Sequence, residues 1–349
     1  MTREIRFTLI GLGNIGRNLL DVLLQRQGAI LRDHDLRFRL IGAADSSGAA
    51  LDSAGLDMTA IRDLKLAHRG VAALPGAGQP GMTALAMVRS TEADLLVDAS
   101  PTNLKDGQPG LDCVRAALDA GQHVVMADKG PLVLAYDELT AKARDMGRRL
   151  SFSGTVAGGL PTVNIGMRDL AGSGVLRVEG IFNGTTNYIL TRMEMEQIDY
   201  EEALDGAQEA GIAEPDPTLD VDGWDAASKL VIIANSVLRR PTTLADVTVE
   251  GIRGITLDDL ESARAAGTVI KLLALAERQG NDYALSVRPT ALPKDHPMAR
   301  TGLWDMGVVY HTDVMGIISA VIEEKGPVPT SAAVLRDMIN VYGEPWGSA

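Results

Sequence analysis

The stretch Gly11-Leu-Gly-Asn-Ile-Gly16 lies directly after a short apolar run, Ile5–Ile10, and opens a segment with apolar residues at helical spacing, Gly16–Gln25. The pattern G-x-G-x-x-G between a strand and a helix is typical of a dinucleotide-binding loop. Its first glycine makes a tight turn, its second lets the backbone approach a pyrophosphate, and its third lets the helix pack closely on the strand. Free N–H groups and the helix dipole favour the anion at this helix start. We therefore predict a nucleotide site in a Rossmann-type domain.

A second predicted strand, Phe38–Ala44, is followed by Asp45. An acidic side chain at this place suits a hydrogen bond to a ribose 2′-hydroxyl. The alternative interpretation is a plain glycine turn with a surface aspartate. The charge of Asp45 would repel a 2′-phosphate, and neither arginine nor lysine follows it until Arg62. We therefore expect NAD to be preferred over NADP.

The first third of the chain alternates strand-like and helix-like segments, which predicts an α/β fold with a doubly wound parallel sheet. Further strands are predicted at Asp94–Ala99 and Gln122–Ala127, with a helix between them, and residues 74–82 are predicted to form a loop. Loops after the carboxyl ends of such strands line the ligand crevice. Ser100 and Thr102 follow one strand and Lys129 follows the other. The alternatives are a polar turn and an exposed loop lysine.

The second half changes in character after a glycine-rich segment, Ser151–Pro161. The following elements are predicted there: a strand at Arg177–Phe182 and helices at Tyr188–Glu196, Tyr200–Ala210, Gly223–Leu238, Leu257–Arg264, Val269–Leu275 and 328–342.

An acidic cluster precedes one of these helices. Its carboxylates are Glu214, Asp216, Asp220, Asp222 and Asp225, interrupted by two prolines. Asp222 suits a helix N-cap, and an acidic residue in the first turn favours a helix start. Asp225 and Lys229 are spaced i and i+4, on one face of the helix. The plain alternative is a solvated acidic loop with an ordinary ion pair.

Composition excludes several functional classes. A chain of 349 residues with 46% hydrophobic residues predicts about two domains, and a net charge of −13 argues against nucleic acid as a partner. A single cysteine, Cys113, excludes an internal disulfide, and the five histidines do not have metal-ligand spacing. Charges at the N-terminus do not suit a signal peptide, and no apolar run reaches the length of a membrane span. We expect a cytoplasmic protein.

Long stretches in order over nearly the whole chain resemble the homoserine dehydrogenase family. These stretches are GLGNIG (11–16), HVVMADKGPL (123–132), GTVAGGLP (154–161), GIFNGTTNYIL (180–190), AEPDPTLDVDGWDAASKL (213–230), VRPTALPKDHPMA (287–299) and PTSAAVLRDM (329–338). The chain stops after the last of its predicted helices, so we expect a short form without the regulatory domain of many members.

The resemblance implies a dinucleotide-binding domain over 1–152, completed by a C-terminal helix in 326–349. It also implies an α+β substrate-binding and dimerisation domain over 153–325, with an open mixed sheet that pairs in a homodimer. The implied reaction is the NAD(P)-dependent interconversion of L-aspartate 4-semialdehyde and L-homoserine, a step of threonine and methionine biosynthesis.

The resemblance also implies roles for individual residues. Lys229 matches the catalytic lysine, Asp225 its companion carboxylate, and Lys129 the lysine beside the nicotinamide and the reacting oxygen. The implied substrate-binding residues are Glu214, which would hold the amino group, Asp220, Gly184 and Thr185. The implied cofactor-binding residues are Gly11, Gly13, Asn14, Ile15, Gly16, Asp45, Ser100, Thr102, Lys129 and Gly326. A sodium or potassium ion would be held by the backbone carbonyls of Val156, Gly158 and Leu160.

Four positions depart from the family's pattern. Asp128 replaces an asparagine beside the lysine, and Ile212 replaces an aromatic residue near the substrate. Ser153 replaces a glutamate that helps to hold the cation, which puts that site in doubt. The late glycine-rich loop is reduced to the segment around Gly326. Two other functions therefore stay open: a related NAD-dependent dehydrogenase of another small amino or hydroxy acid, and a catalytically weak NAD-binding sensor.

Overall fold

The computed structural model describes residues 2–343, and the chain forms two compact units. One unit consists of Met1–Gly159 with Gly326–Ala349, and the other of Leu160–Lys325. Residues 153–159, which the sequence assigned to the substrate domain, therefore belong to the first unit. The last six residues of the expected C-terminal segment, 344–349, lie outside the described residues.

The helices and strands of residues 2–343 are numbered here in chain order. The strands are β1 (Arg3–Ile10), β2 (Leu36–Asp45), β3 (Gly48–Leu51), β4 (Gly78–Pro80), β5 (Leu95–Asp98), β6 (His123–Met126), β7 (Leu150–Ser151), β8 (Val175–Ile181), β9 (Val247–Val249), β10 (Thr268–Gln279), β11 (Asp282–Pro293), β12 (Asp305–Thr312) and β13 (Ile317–Glu323). The helices are α1 (Asn14–His34), α2 (Met58–Leu66), α3 (Ala84–Ser90), α4 (Gly110–Asp119), α5 (Gly130–Asp145), α6 (Thr162–Asn164), α7 (Gly184–Glu196), α8 (Tyr200–Glu209), α9 (Thr218–Val221), α10 (Trp224–Ser236), α11 (Leu257–Ala265) and α12 (Val328–Tyr342). No helix of the described part is long and apolar enough to cross a membrane.

The first unit is built on a sheet with the strand order β4-β3-β2-β1-β5-β6-β7. Strands β2, β1, β5, β6 and β7 run parallel, and β3 and β4 extend the sheet antiparallel at one edge. The expected Rossmann-type α/β fold is confirmed. The segment 74–82, predicted as a loop, contains the short edge strand β4, because its backbone pairs with β3.

Helix α12 packs into the core of this first unit. Its side chains Val334, Leu335, Met338 and Val341 are buried in the same apolar cluster as Leu19, Leu20 and Leu23 of α1. The Ser331 hydroxyl also donates a hydrogen bond of 2.9 Å to the Ile15 carbonyl in the first turn of α1. The chain end is thus tied to the helix that follows the glycine loop.

The second unit is built on an open mixed sheet with the order β13-β12-β8-β10-β11-β9. Its neighbouring strands are antiparallel except for the pair β11 and β9, which confirms the expected α+β architecture.

The predicted helix at Val269–Leu275 was wrong, because this segment lies in strand β10. Strand β10 pairs with β11 on one side and with β8 on the other, so its backbone hydrogen bonds are made across the sheet. Its run from Lys271 to Ala274 is buried without interruption. A short apolar run of this kind does not distinguish a buried helix from a central strand by periodicity.

Candidate active site

The glycine loop connects β1 to α1 in the way that its pattern predicts. Gly11 has a φ of +83°, and a Cβ there would lie 2.2 Å from the Ala99 carbonyl oxygen. A Cβ on Gly16 would lie 2.0 Å from the Gly11 carbonyl oxygen. Both glycines are therefore required by the packing of the protein itself, since a side chain at either place would collide with backbone.

Gly13 has a different environment. Its φ is −76°, which any residue adopts, and within residues 2–343 no heavy atom lies closer than 4 Å to a Cβ built there. Gly13 is also the N-cap of α1, and no described side chain caps this helix start. The N–H groups of Asn14 and Ile15 thus begin a helix beside open space. This cradle fits the pyrophosphate of a dinucleotide.

Asp45 ends β2 and is already bound by four donors. One carboxylate oxygen accepts from the Ser47 N–H and hydroxyl, at 2.9 and 2.6 Å. The other accepts from Lys65 Nζ at 2.6 Å and from the Val71 N–H at 3.1 Å. Burial alone would raise the pKa of Asp45, but the hydrogen bonds from Lys65, Ser47 and Val71 outweigh it and hold this pKa below its usual value. The fold thus places Lys65, which follows Arg62 in the sequence, beside Asp45.

The loops after β5 and β6 meet the glycine loop at the carboxyl ends of neighbouring parallel strands. Ser100 is 7% exposed, and its backbone N lies 2.4 Å from the place that a Cβ on Gly11 would take. The Thr102 side chain hydrogen-bonds to Asp128. Lys129 is partly buried and forms the N-cap of α5. Ser100, Thr102 and Lys129 therefore share one edge of the first unit's sheet with the glycine loop, whereas Gly326 is exposed and has a φ of +90°.

In the second unit, Lys229 is held on the first turns of α10. Its Nζ donates to Asp225 Oδ2 at 2.7 Å and to the Phe182 carbonyl at 2.6 Å. The side chains of Lys229 and Asp225 are only 12% and 14% exposed. Gly223, with a φ of +87°, turns the chain into this helix. Within residues 2–343 the ammonium makes these two hydrogen bonds, so one of its three N–H groups stays available to a ligand.

Asp220 lies beside this ion pair. Burial, followed by the charge of Asp225, raises its pKa, while hydrogen bonds from Asn183 and Thr185 and the charge of Lys229 act in the opposite direction. The Thr185 hydroxyl has one proton to donate, and its oxygen also lies 3.3 Å from the Ile212 carbonyl oxygen. The structure therefore brings Asp220, Asp225, Lys229 and Thr185 into one cluster.

Asn183 was missed by the sequence analysis and connects this cluster. Its Nδ2 donates to Asp220 at 2.7 Å and to Asp225 at 2.8 Å. Its Oδ1 accepts from the Thr186 N–H at 2.8 Å and so caps α7. Asn183 directly precedes α7 and suits an N-cap, but the helix predicted from the sequence began only at Tyr188, and the bridging role depends on the tertiary fold.

Two expected substrate-binding residues lie apart from these hydrogen bonds. Glu214 is exposed on the loop between α8 and α9, and no hydrogen bond of the described residues joins its side chain to the Lys229 cluster. Gly184 begins α7, and a Cβ built on it would meet no atom within 4 Å.

The segment expected to hold a monovalent cation does not fit a carboxylate-assisted ion. Ser153 is bound to Asp337, which accepts its N–H and its hydroxyl proton, both at 2.7 Å. The Arg336 guanidinium donates to the Ser153 hydroxyl at 2.8 Å and to the Gly159 carbonyl at 3.4 Å. A positive charge therefore already contacts this segment. The Val156, Gly158 and Leu160 carbonyls gain no acidic ligand, and no cluster of metal-binding side chains occurs in residues 2–343.

Comparisons with known proteins all point to one family. The family model described as homoserine dehydrogenase matches residues 161–339. A homoserine dehydrogenase of Methanocaldococcus jannaschii is 36% identical over 96% of this chain and 97% of the relative. An NAD(+)-dependent homoserine dehydrogenase of Pseudomonas canavaninivorans is 33% identical over 97% of this chain and 96% of the relative. A putative homoserine dehydrogenase from Archaeoglobus fulgidus, known from a crystal structure, is 34% identical in sequence to this chain and superposes on it with a TM-score of 0.88. The match covers 97% of this chain and 100% of the crystallised chain.

The different environments of the glycines lead to a prediction for nucleotide binding. Gly13→Ala should change stability by no more than about 1 kcal/mol, because its φ is negative and the added methyl group meets no atom of residues 2–343, but should weaken NAD binding about tenfold or more by filling the cradle. Gly28→Ala, inside α1 and also in open space, is the control and should leave binding unchanged. Calorimetric titration with NAD measures both. Equal affinities of the two variants would contradict this assignment of Gly13.

Proposed function

The chain belongs to the homoserine dehydrogenase family, and we propose that it interconverts L-homoserine and L-aspartate 4-semialdehyde with NAD as the hydride carrier. The observation that carries this proposal is the Lys229 ammonium, held nearly buried by Asp225 and the Phe182 carbonyl with one N–H left available. The relatives described above bear the same activity in their names. NAD, when bound, accepts or supplies the hydride.

Lys229 donates or accepts the proton that accompanies hydride transfer. In the reduction direction the hydride would add to the aldehyde carbon, the C=O π bond breaks and the oxygen gains negative charge. The available N–H of Lys229 stabilises that charge and delivers the proton. In the oxidation direction the neutral amine accepts the proton of the alcohol. Asp225 holds the side chain in place through its 2.7 Å contact. Positioned acid–base catalysis of this kind contributes roughly 10²–10⁴-fold.

The neighbouring polar groups bind the substrate. Asp220 and Thr185 line the same cluster as Lys229, and Asn183 fixes the two carboxylates relative to each other. Glu214 is a free carboxylate on an exposed loop and would pair with the amino group of homoserine. Gly184 leaves room beside them because it has no side chain.

The first unit holds the cofactor. Gly11, Gly13 and Gly16 shape the loop, and the N–H groups of Asn14 and Ile15 bind the pyrophosphate. Ser100, Thr102 and Lys129 contact the nicotinamide half, and Gly326 belongs to the same unit. We assign NAD as the preferred cofactor because the Asp45 carboxylate repels a 2′-phosphate, and the relative named NAD(+)-dependent supports this choice. No step of the reaction needs a monovalent cation, in keeping with the Arg336 contacts.

The second unit pairs with another copy of the chain to form a homodimer. Strand β13 is at the edge of its sheet, and its residues Ile317 and Val321 are 66% and 50% exposed. Val314 and Met315, in the turn before it, are 73% and 49% exposed. An apolar edge strand left in water invites pairing with another chain. A second copy that covers this edge, here named the β13 edge, explains its composition.

Lys229→Ala should lower the rate of homoserine oxidation by roughly 10²–10⁴-fold and leave the affinity for NAD nearly unchanged. With the unaltered protein, oxidation should rise toward alkaline pH, because the ammonium must first lose its proton, whereas reduction should not. Steady-state assays across pH measure both, with the exposed Lys294→Ala as control. A flat pH profile for oxidation would count against Lys229. If NAD binds but is not reduced with homoserine, threonine or hydroxyaspartate, the protein is a sensor rather than a dehydrogenase.

Asp45→Ser should increase kcat/KM for NADP relative to NAD by about tenfold, since it removes the repelling charge and leaves Lys65 to meet a 2′-phosphate. Asp52→Ser, on the exposed turn after β3, is a matched control of equal charge change. Steady-state kinetics with both cofactors provide the measurement. A clear NADP preference of the unaltered enzyme would refute the assignment of NAD.

Ile317→Lys should convert the dimer into monomers, because it places a charge among the exposed apolar side chains of the β13 edge. Leu66→Lys, on a residue 55% exposed in the first unit, should leave the dimer intact. Sedimentation velocity distinguishes the two species. A monomeric unaltered protein, or a dimer that survives Ile317→Lys, would place the subunit contact elsewhere or remove it.

A further inference from the structure

Two buried carboxyl groups face each other at the edge of the sheet that carries the nucleotide loops. Asp98 ends β5, and Asp128 comes two residues after the end of β6, the neighbouring parallel strand. Asp98 is 0% and Asp128 is 1% exposed. The Oδ2 atoms of both residues lie 2.6 Å from the place that a Cβ on Gly110 would take. The two carboxyls thus meet over the first residue of α4, where only a glycine leaves them room.

The hydrogen-bond donors are distributed unequally over the carboxyl oxygens of Asp98 and Asp128. Asp98 Oδ1 accepts from the Ser100 N–H at 3.0 Å and from its hydroxyl at 2.6 Å. Asp128 Oδ1 accepts from the Gly130 N–H at 2.9 Å. Asp98 Oδ2, in contrast, has no hydrogen-bond partner anywhere in the described residues, although it is fully buried. A buried acceptor without a donor is costly, and a buried charge without one more so.

A proton bound to either Asp98 or Asp128 supplies the hydrogen-bond donor that Asp98 Oδ2 lacks. It turns one carboxylate oxygen into a donor at the place where the structure supplies none, and it removes one of two like charges. The Ser100 hydroxyl, which lies 2.6 Å from Asp98 and 3.5 Å from Asp128 Oδ2, has a single proton and so serves only one of them.

The other titratable groups around the pair do not replace that proton. Lys129 acts on Asp128 from the start of α5, and its charge lowers the Asp128 pKa, as do the bonds from Gly130 and Thr102. Burial, followed by the charge of Asp98, outweighs them and raises the Asp128 pKa toward neutrality. Burial also raises the pKa of Asp98. Cys113 faces Asp98 from α4 as a neutral thiol, because burial and the charges of Asp98 and Asp112 raise its pKa, against Arg89.

We propose that Asp98 and Asp128 share one proton and act as positioning residues, which hold the loop that carries Ser100 against the loop that carries Lys129. Loss of the proton leaves two adjacent buried carboxylates, whose repulsion separates the loops and weakens dinucleotide binding. The proposal rests on the proposed function only in assigning Ser100 and Lys129 to the cofactor site.

The direction of the pH effect follows from linkage. In the unfolded chain both carboxyls are ionised at any pH well above their ordinary pKa of about 4. The folded pair, in contrast, keeps its proton as the pH rises toward neutrality. A raised pKa in the folded state gives stability that is present at low pH and is lost as the pH rises through the folded value. The same sign applies to NAD affinity, if binding needs the loops together.

Asp128→Asn and Asp98→Asn test the proposal, because an asparagine amide supplies a donor at every pH and adds no charge. The exposed Asp145→Asn in the same unit is the matched control. NAD titrations and thermal unfolding are measured at about pH 6 and about pH 8.5 on all four proteins. We expect the unaltered protein and Asp145→Asn to bind NAD at least about threefold more weakly at the higher pH. Each pair variant should bind with little pH dependence and should unfold about 2–4 °C higher than the control at alkaline pH.

The proposal is overturned if the pair variants keep the pH slopes of the unaltered protein in both measurements. It is also overturned if neither pair variant folds, because asparagine mimics the protonated carboxyl. Unfolding and NAD binding need no turnover, so a protein that fails to oxidise homoserine tests Lys229 and not this pair. If NAD does not bind at all, the cofactor site of the proposed function fails, while the unfolding measurements still decide whether the pair holds a proton.

Discussion

A carboxylate taken out of water must receive hydrogen-bond donors, a counter-charge or a proton, and this constraint governs both units of the protein. Asp45 receives Lys65, Ser47 and Val71, and Asp337 receives both donors of Ser153. Glu179, in the second unit's sheet, is contacted by Arg177, His296 and His311. Several of these donors, among them Lys65, Ser153 and His311, come from distant parts of the chain, so these contacts fix loops as well as charges.

The two acidic pairs of the protein meet this constraint in different ways. Asp220 and Asp225 share the amide of Asn183, and Lys229 adds a positive charge beside them while it keeps an N–H for a substrate oxygen. At Asp98 and Asp128 the donors are Ser100 and the Gly130 N–H, and Asp98 Oδ2 has no donor among the described residues. The first arrangement suits proton transfer to a ligand, and the second suits retention of a proton inside the protein.

Much of the fold was predictable because the decisive patterns are local. The glycine loop follows a strand and opens a helix, and the helix predicted at 328–342 is α12. Strand β10 was not predictable, since its backbone pairs with strands from distant parts of the chain. The lysine beside Asp45 and the amide between Asp220 and Asp225 were missed for the same reason: Lys65 and Asn183 reach these carboxylates only through the tertiary fold.

The glycines of this protein fall into two kinds. At some positions packing of the fold leaves no room for a side chain, and at others a side chain would have room. At Gly11 and Gly16 a Cβ would strike backbone, and at Gly110 it would strike the two carboxyls, so folding alone explains these residues. At Gly13 and Gly184 a Cβ would strike nothing, and both stand at the start of a helix. Helix α1 starts at Gly13 without the side-chain oxygen that usually caps a helix, so this open glycine is better explained by a ligand than by stability. Helix α7 is capped by Asn183, so Gly184 is distinguished by its open space alone. The sequence alone does not distinguish these two kinds of glycine, because the difference lies in the atoms that the fold places around each residue.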